Sequence, residues 1–139
     1  MASELKVDKF TGVTTAGSIL VTGEGNSTTT NLQQGLAKCW VNFAGNASGA
    51  AANDSFNLAS MTDNGTGDYT LAISNDMASA SYSATATGYK CTADFGFITN
   101  NNSNYFTAST LRIETVEHDG GHKQTEFVVS CVTINGDLA

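Results

Sequence analysis

The stretch SASYSATATGY, at residues 79–89, alternates small apolar and hydroxylated side chains with a period of two. Ala80, Tyr82, Ala84 and Ala86 fall on one face, and Ser81, Ser83, Thr85 and Thr87 on the other. Successive strand side chains point to opposite faces, so the pattern suits a strand packed on one side and wet on the other. The same period recurs along the chain. In KCWVNFAG, Cys39, Val41 and Phe43 share a face opposite Lys38, Trp40 and Asn42. DSFNLAS offers Phe56 and Leu58, and DYTLAIS offers Tyr69, Leu71 and Ile73. STLRIETVEH sets Leu111 and Ile113 against Arg112 and Glu114.

Near the end, EFVVSCVTI is apolar on both faces: Phe127, Val129 and Cys131 on one, Val128, Val132 and Ile134 on the other. A strand of that kind is covered on both sides. No window has helical periodicity, and Ser, Thr, Asn and Gly are all weak helix formers.

Six to eight strands, roughly one per 10 to 14 residues, are therefore expected, joined by Gly-, Asn- and Asp-rich turns. The turns are AGNASGAAAND, TDNGTGD, TGY, TNNNSN and HDGGHK. This spacing predicts an all-β chain, with an antiparallel β-sandwich or jelly-roll-like knob over residues 35–139. Residues 1–34 carry little to bury and read as an extended arm that orders against another subunit or partner. Because the apolar faces are often alanine, the core of one copy is thin, which favours folding completed by oligomerisation.

Charge narrows the partners. Thirteen acids against six bases leave a formal charge of -7. That balance repels phosphate backbones and anionic lipid, so no nucleic-acid partner and no membrane insertion are expected. No apolar run reaches the ~18 residues that span a bilayer. The opening MASELKVDKF has no apolar signal core, so assembly in a cytoplasm is expected. The three cysteines, Cys39, Cys91 and Cys131, are too widely spaced for a zinc site and read as small buried hydrophobes.

Each candidate chemical site has a plainer structural reading. In TDNGTGD, Asp63 and Asp68 lack the closing Glu of a calcium loop, and no Lys follows the last Gly as a phosphate loop needs. Asn64-Gly65 reads instead as a hairpin turn. EHDGGHK offers His118 and His122 with Glu117 and Asp119 as metal ligands, but Asp-Gly-Gly between two alternating segments is again a turn. Asp54, Asp63, Asp68, Asp94, Glu114 and Glu126 supply carboxylates for glycoside hydrolysis, yet their pairing in space is not readable from sequence. No catalytic residue, cofactor or metal is expected. Trp40 reads as buried at a core or subunit seam, while Tyr105 and Phe106 follow a polar loop and read as an aromatic tip.

Two segments carry a resemblance. NLQQGLAKCWVNFAG and DSFNLASMTDNGTGDYTLAIS are similar to a module of virion structural proteins from marine tailed bacteriophages such as cyanophages. The opening SELKVDKF and closing INGDLA also resemble the ends of such proteins, although Cys39 stands where small residues are usual. The resemblance implies a non-enzymatic fibre-like or knob-like virion protein, a homotrimer joined to other virion proteins through its arm. Adhesion to a host-surface glycan is then expected through a tip built from Asn102, Asn104, Tyr105, Phe106, His118 and His122. The alternative expectations are a capsid decoration or cement protein that stabilises the head and, from other classes, a glycan-binding module or a polysaccharide depolymerase.

Overall fold

The computed structural model describes residues 4–12, 19–23, 28–47, 50–90, 96–99, 105–118 and 122–139, with backbone alone at 96–99, 118 and 122. The chain divides into two compact units, Met1–Leu36 and Ala37–Ala139. In the first, β1 (Leu20–Thr22) and β2 (Thr29–Asn31) pair antiparallel, and a single helical turn, α1 (Leu32–Gly35), follows. Asn31 caps that turn: its Oδ1 accepts from the backbone N–H groups of Gln33 at 2.8 Å and Gln34 at 3.3 Å. Such a side chain satisfies N–H groups that have no partner inside the helix.

The second unit's described elements are strands. They are β3 (Ala37–Phe43), β4 (Ala52–Phe56), β5 (Leu58–Gly65), β6 (Asp68–Ile73), β7 (Ser83–Tyr89), β8 (Gly96–Thr99), β9 (Thr110–His118), β10 (His122–Gln124) and β11 (Val129–Asn135). Four of them form one sheet in the order β4-β3-β11-β7. The other sheet runs β10-β9-β6-β5, with β8 also paired to β9. Every pairing is antiparallel, so the all-β reading holds.

One apolar core draws on both sheets. Cys39, Val41, Phe43, Val132 and Ile134 come from the four-stranded sheet, and Tyr69, Leu71, Ile73, Leu111 and Ile113 from the five-stranded one. Phe43 and Tyr69 meet edge to face at 5.0 Å between ring centroids. Each large side chain removed from water contributes about 1.5–3 kcal/mol, which makes this set the main stabilising element. Ala84 and Ala86 of β7 pack against it, as the alternation around them requires, but the strand starts only at Ser83. Tyr82, just before the strand, lies against Phe106 at 5.1 Å and donates its hydroxyl to the Thr110 carbonyl.

The final strand lies between β3 and β7, with Val132 and Ile134 buried inward and Val129 and Cys131 half-covered on the opposite face. Phe127 precedes it and is fully buried. A one-residue corner, Asn57, carries the chain from β4 in one sheet to β5 in the other. Its φ of 58° is in the left-handed region, where Asn is among the few tolerated residues.

The TDNGTGD hairpin sits two residues later than the Asn64-Gly65 signal suggests. Gly65 pairs with Asp68, leaving Thr66 and Gly67 as the loop, with φ of 134° at Gly65 and 68° at Gly67. A register shift between Asp63 and Gly65 accommodates Asn64, whose Nδ2 donates to Thr70 Oγ1 at 2.9 Å and Asp68 Oδ1 at 3.3 Å. The second glycine is selected by crowding: a Cβ on Gly67 would lie 2.7 Å from Thr115 and Thr125 backbone atoms.

Candidate binding face

The outer face of the four-stranded sheet follows directly from the alternation. With Cys39, Val41 and Phe43 turned to the core, Trp40 and Asn42 of β3 project outward. Strand register then assembles rows across the sheet. Phe56, Trp40, Thr133 and Thr85 form one row; Asp54, Asn42, Cys131 and Thr87 form the next. Beyond them Val129 faces Tyr89, and Asn135 faces Ser83 at the other end. Phe56 is 53% exposed and Tyr89 56%, while Trp40 is half-buried between Phe56 and Thr133. Trp40 is thus a surface residue rather than part of the core; the sequence signal was its parity with Asn42.

An amide chain stiffens this face. Asn53 sits where the β3–β4 register shifts, and its Nδ2 donates to Asn42 Oδ1 at 2.9 Å. Asn42 Nδ2 in turn donates to Cys131 Sγ at 3.1 Å. Asp54 is the only charged residue in the rows just described, and its Oδ1 accepts from the Ser55 N–H at 2.8 Å. Lys38, at the start of β3, is buried.

The five-stranded sheet has a charged network instead. Arg112 engages Asp68 through Nε to Oδ1 at 2.8 Å and through its second nitrogen to Oδ2, and its guanidinium lies 4.8 Å over the Tyr105 ring. Tyr105 donates its hydroxyl to Glu114 Oε1 at 2.9 Å. The Arg112 hydrogen bonds hold the Asp68 carboxyl below the usual carboxylate range, against the opposing effect of burial. Glu117 is bridged by Lys123 and Lys90, and those hydrogen bonds hold its carboxyl low as well. These charges neutralise one another in place.

The expected tip residues have different surroundings. Phe106 is half-buried against the core with Tyr82, whereas Tyr105 is tied into the Arg112 network. His118 and His122 pair across the β9–β10 hairpin, and Asn102 and Asn104 lie outside the described residues. No group of three or more His, Cys, Asp or Glu among the described residues is arranged to hold a metal ion. Burial pushes the Cys39 thiol up to about 11, so it stays protonated near neutral pH, while Cys131 is half-covered on the outer face and Cys91 lies outside the described residues. No helix among the described residues is long and apolar enough to cross a membrane.

Comparisons with protein-family models, with curated proteins and with solved structures give no match.

Proposed function

We propose that this chain is a non-enzymatic structural protein of a tailed-bacteriophage virion. In this reading residues 35–139 form a β-sandwich, jelly-roll-like knob, and residues 1–34 form the arm that joins copies to one another and to other virion proteins. The assembly is a homotrimer displayed for adhesion to the host surface. Many weak contacts acting together supply its grip.

The observation that carries this reading is the arm itself. Leu5 and Phe10 are 75% and 61% exposed, and Leu20 and Val21 are likewise more than half exposed. So many apolar side chains left in water on a short segment are the mark of a surface made for a partner.

Light scattering on the purified protein is expected to return three times the 14.4 kDa chain mass. Gold-labelled antibody on intact particles is expected at fibre tips. Label spread over the head lattice would replace adhesion with capsid decoration. A monomer that labels no part of the particle would remove the virion reading altogether.

A further inference from the structure

We propose that the outer face of the four-stranded sheet binds a neutral oligosaccharide, which rests on the adhesion reading above and specifies its ligand. The first argument is charge. Ten of the 13 acids and four of the six bases fall in Ala37–Ala139, so the body is strongly acidic. Among the described residues in the rows of this face the single carboxylate is Asp54, beside amides, hydroxyls, aromatic rings, Cys131 and Val129. An acidic body repels sialylated and uronic sugars but leaves neutral ones unaffected.

The second argument is the arrangement of groups. Trp40 and Phe56 are direct cross-strand partners, which places their side chains about 5 Å apart on one face. That is an apolar platform for the C–H face of a sugar ring. Asp54 and Asn42 lie in the adjacent row, and Thr85 and Thr87 present exposed hydroxyls on β7. A carboxylate that already accepts one backbone N–H keeps lone pairs for ligand hydroxyls, and the threonines both donate and accept.

Four strands about 4.8 Å apart and five to seven residues long, at roughly 3.3 Å each, give the face a flat footprint of about 400 Å². That is ample for a short run of sugar rings, and solution mass distinguishes a sugar from a second copy of the chain.

Trp40 is the chain's single tryptophan, so its fluorescence reports on this face alone. The full-length protein is titrated with dextran, mannan and laminarin, and separately with alginate. A saturable change in emission is expected with at least one neutral polymer and none with alginate. Phe56→Ala is expected to weaken binding about tenfold or more. Ser60→Ala, exposed on β5 of the other sheet, is expected to leave it unchanged. Trp40→Phe keeps a ring on the platform and is expected to retain sugar binding measured by calorimetry, with an unaltered melting temperature as the folding control.

Silence toward all three neutral polymers, or a response to alginate alone, would overturn the proposal. So would a fall in solution mass on Phe56→Ala without loss of sugar binding, since the face would then be an interface between copies. A protein that labels the particle yet binds none of the sugars would keep the virion reading and lose this one.

Discussion

Asn57 and Asn75 are bonded to each other three times. Asn57 Oδ1 accepts from the Asn75 backbone N–H at 2.9 Å and from its side-chain Nδ2 at 2.8 Å, while Asn57 Nδ2 donates to the Asn75 carbonyl at 3.2 Å. The same Nδ2 also reaches the Lys38 carbonyl at 2.9 Å. One side chain therefore ties the start of β3, the corner between β4 and β5, and the segment after β6.

Replacing it separates conformation from hydrogen bonding. Asn57→Gly keeps the left-handed corner and loses only the amide contacts, for a loss of about 1–3 kcal/mol. Asn57→Ala adds about 1 kcal/mol or more of backbone strain. Urea unfolding midpoints should therefore fall in the order wild type, Gly, Ala. Equal midpoints for the two variants would remove the conformational half of the argument.

The hairpin glycines make a second contrast. Gly67 has φ of 68° and no room for a Cβ, whereas Gly65 has φ of 134° and nothing within 4 Å of the same position. Gly65→Ala is strained only in its backbone, by about 1–3 kcal/mol. Gly67→Ala forces backbone apart as well and should lose roughly twice as much. Thermal melts of the two variants compare them directly, and a Gly65→Ala protein less stable than Gly67→Ala would contradict the packing described around Thr115 and Thr125.

The Asp68–Arg112 pair sets a pH dependence. Because Arg112 depresses the folded-state pKa of Asp68, its contribution is full above the ordinary carboxylate value near 4 and disappears as pH falls through the depressed one. Glu117, held low by Lys123 and Lys90, acts with the same sign in the same window. Stability from urea melts should thus decline below about pH 4. Asp68→Asn should flatten only part of that decline, by less than about 1 kcal/mol because Arg112 is 40% exposed. An Asp68→Asn profile superimposable on wild type would show that the pair contributes nothing.

Thiol reactivity distinguishes the two described cysteines. Cys39 is 1% exposed with its pKa pushed up to about 11, while Cys131 is half-covered on the outer face. Iodoacetamide at pH 8, read peptide by peptide in a mass spectrometer, should modify Cys131 well before Cys39. Unfolding in urea should abolish the difference. Early labelling of Cys39 in the native protein would mean that the core opens far more readily than its packing implies.

Much of the strand layout is legible in the sequence because a period of two is a local property. Cys39, Val41 and Phe43 facing away from Trp40 and Asn42, and Leu111 and Ile113 away from Arg112, needed only neighbouring residues to be read. The hairpin at TDNGTGD was visible too, but its tip was displaced by two residues. Asn64-Gly65 has the right local preference, yet the backbone of Thr115 and Thr125 crowds the next glycine and selects Gly67 for the loop. Trp40 lies outside the single-chain core for a related reason: hydrophobicity argues for burial, while parity places it with the polar residues of the outer face.

The sequence by itself determined that this chain is all-β and which side chains of each strand go together, since alternation is written residue by residue. Only the tertiary structure decided which strands are neighbours. It set the last strand between β3 and β7, used Asn57 to pass the chain from one sheet to the other, and brought Phe56 beside Trp40 and Asp54 beside Asn42. Those pairings follow from closing one shared core and satisfying backbone hydrogen bonds between distant segments, a condition on the whole chain that no single stretch of it records.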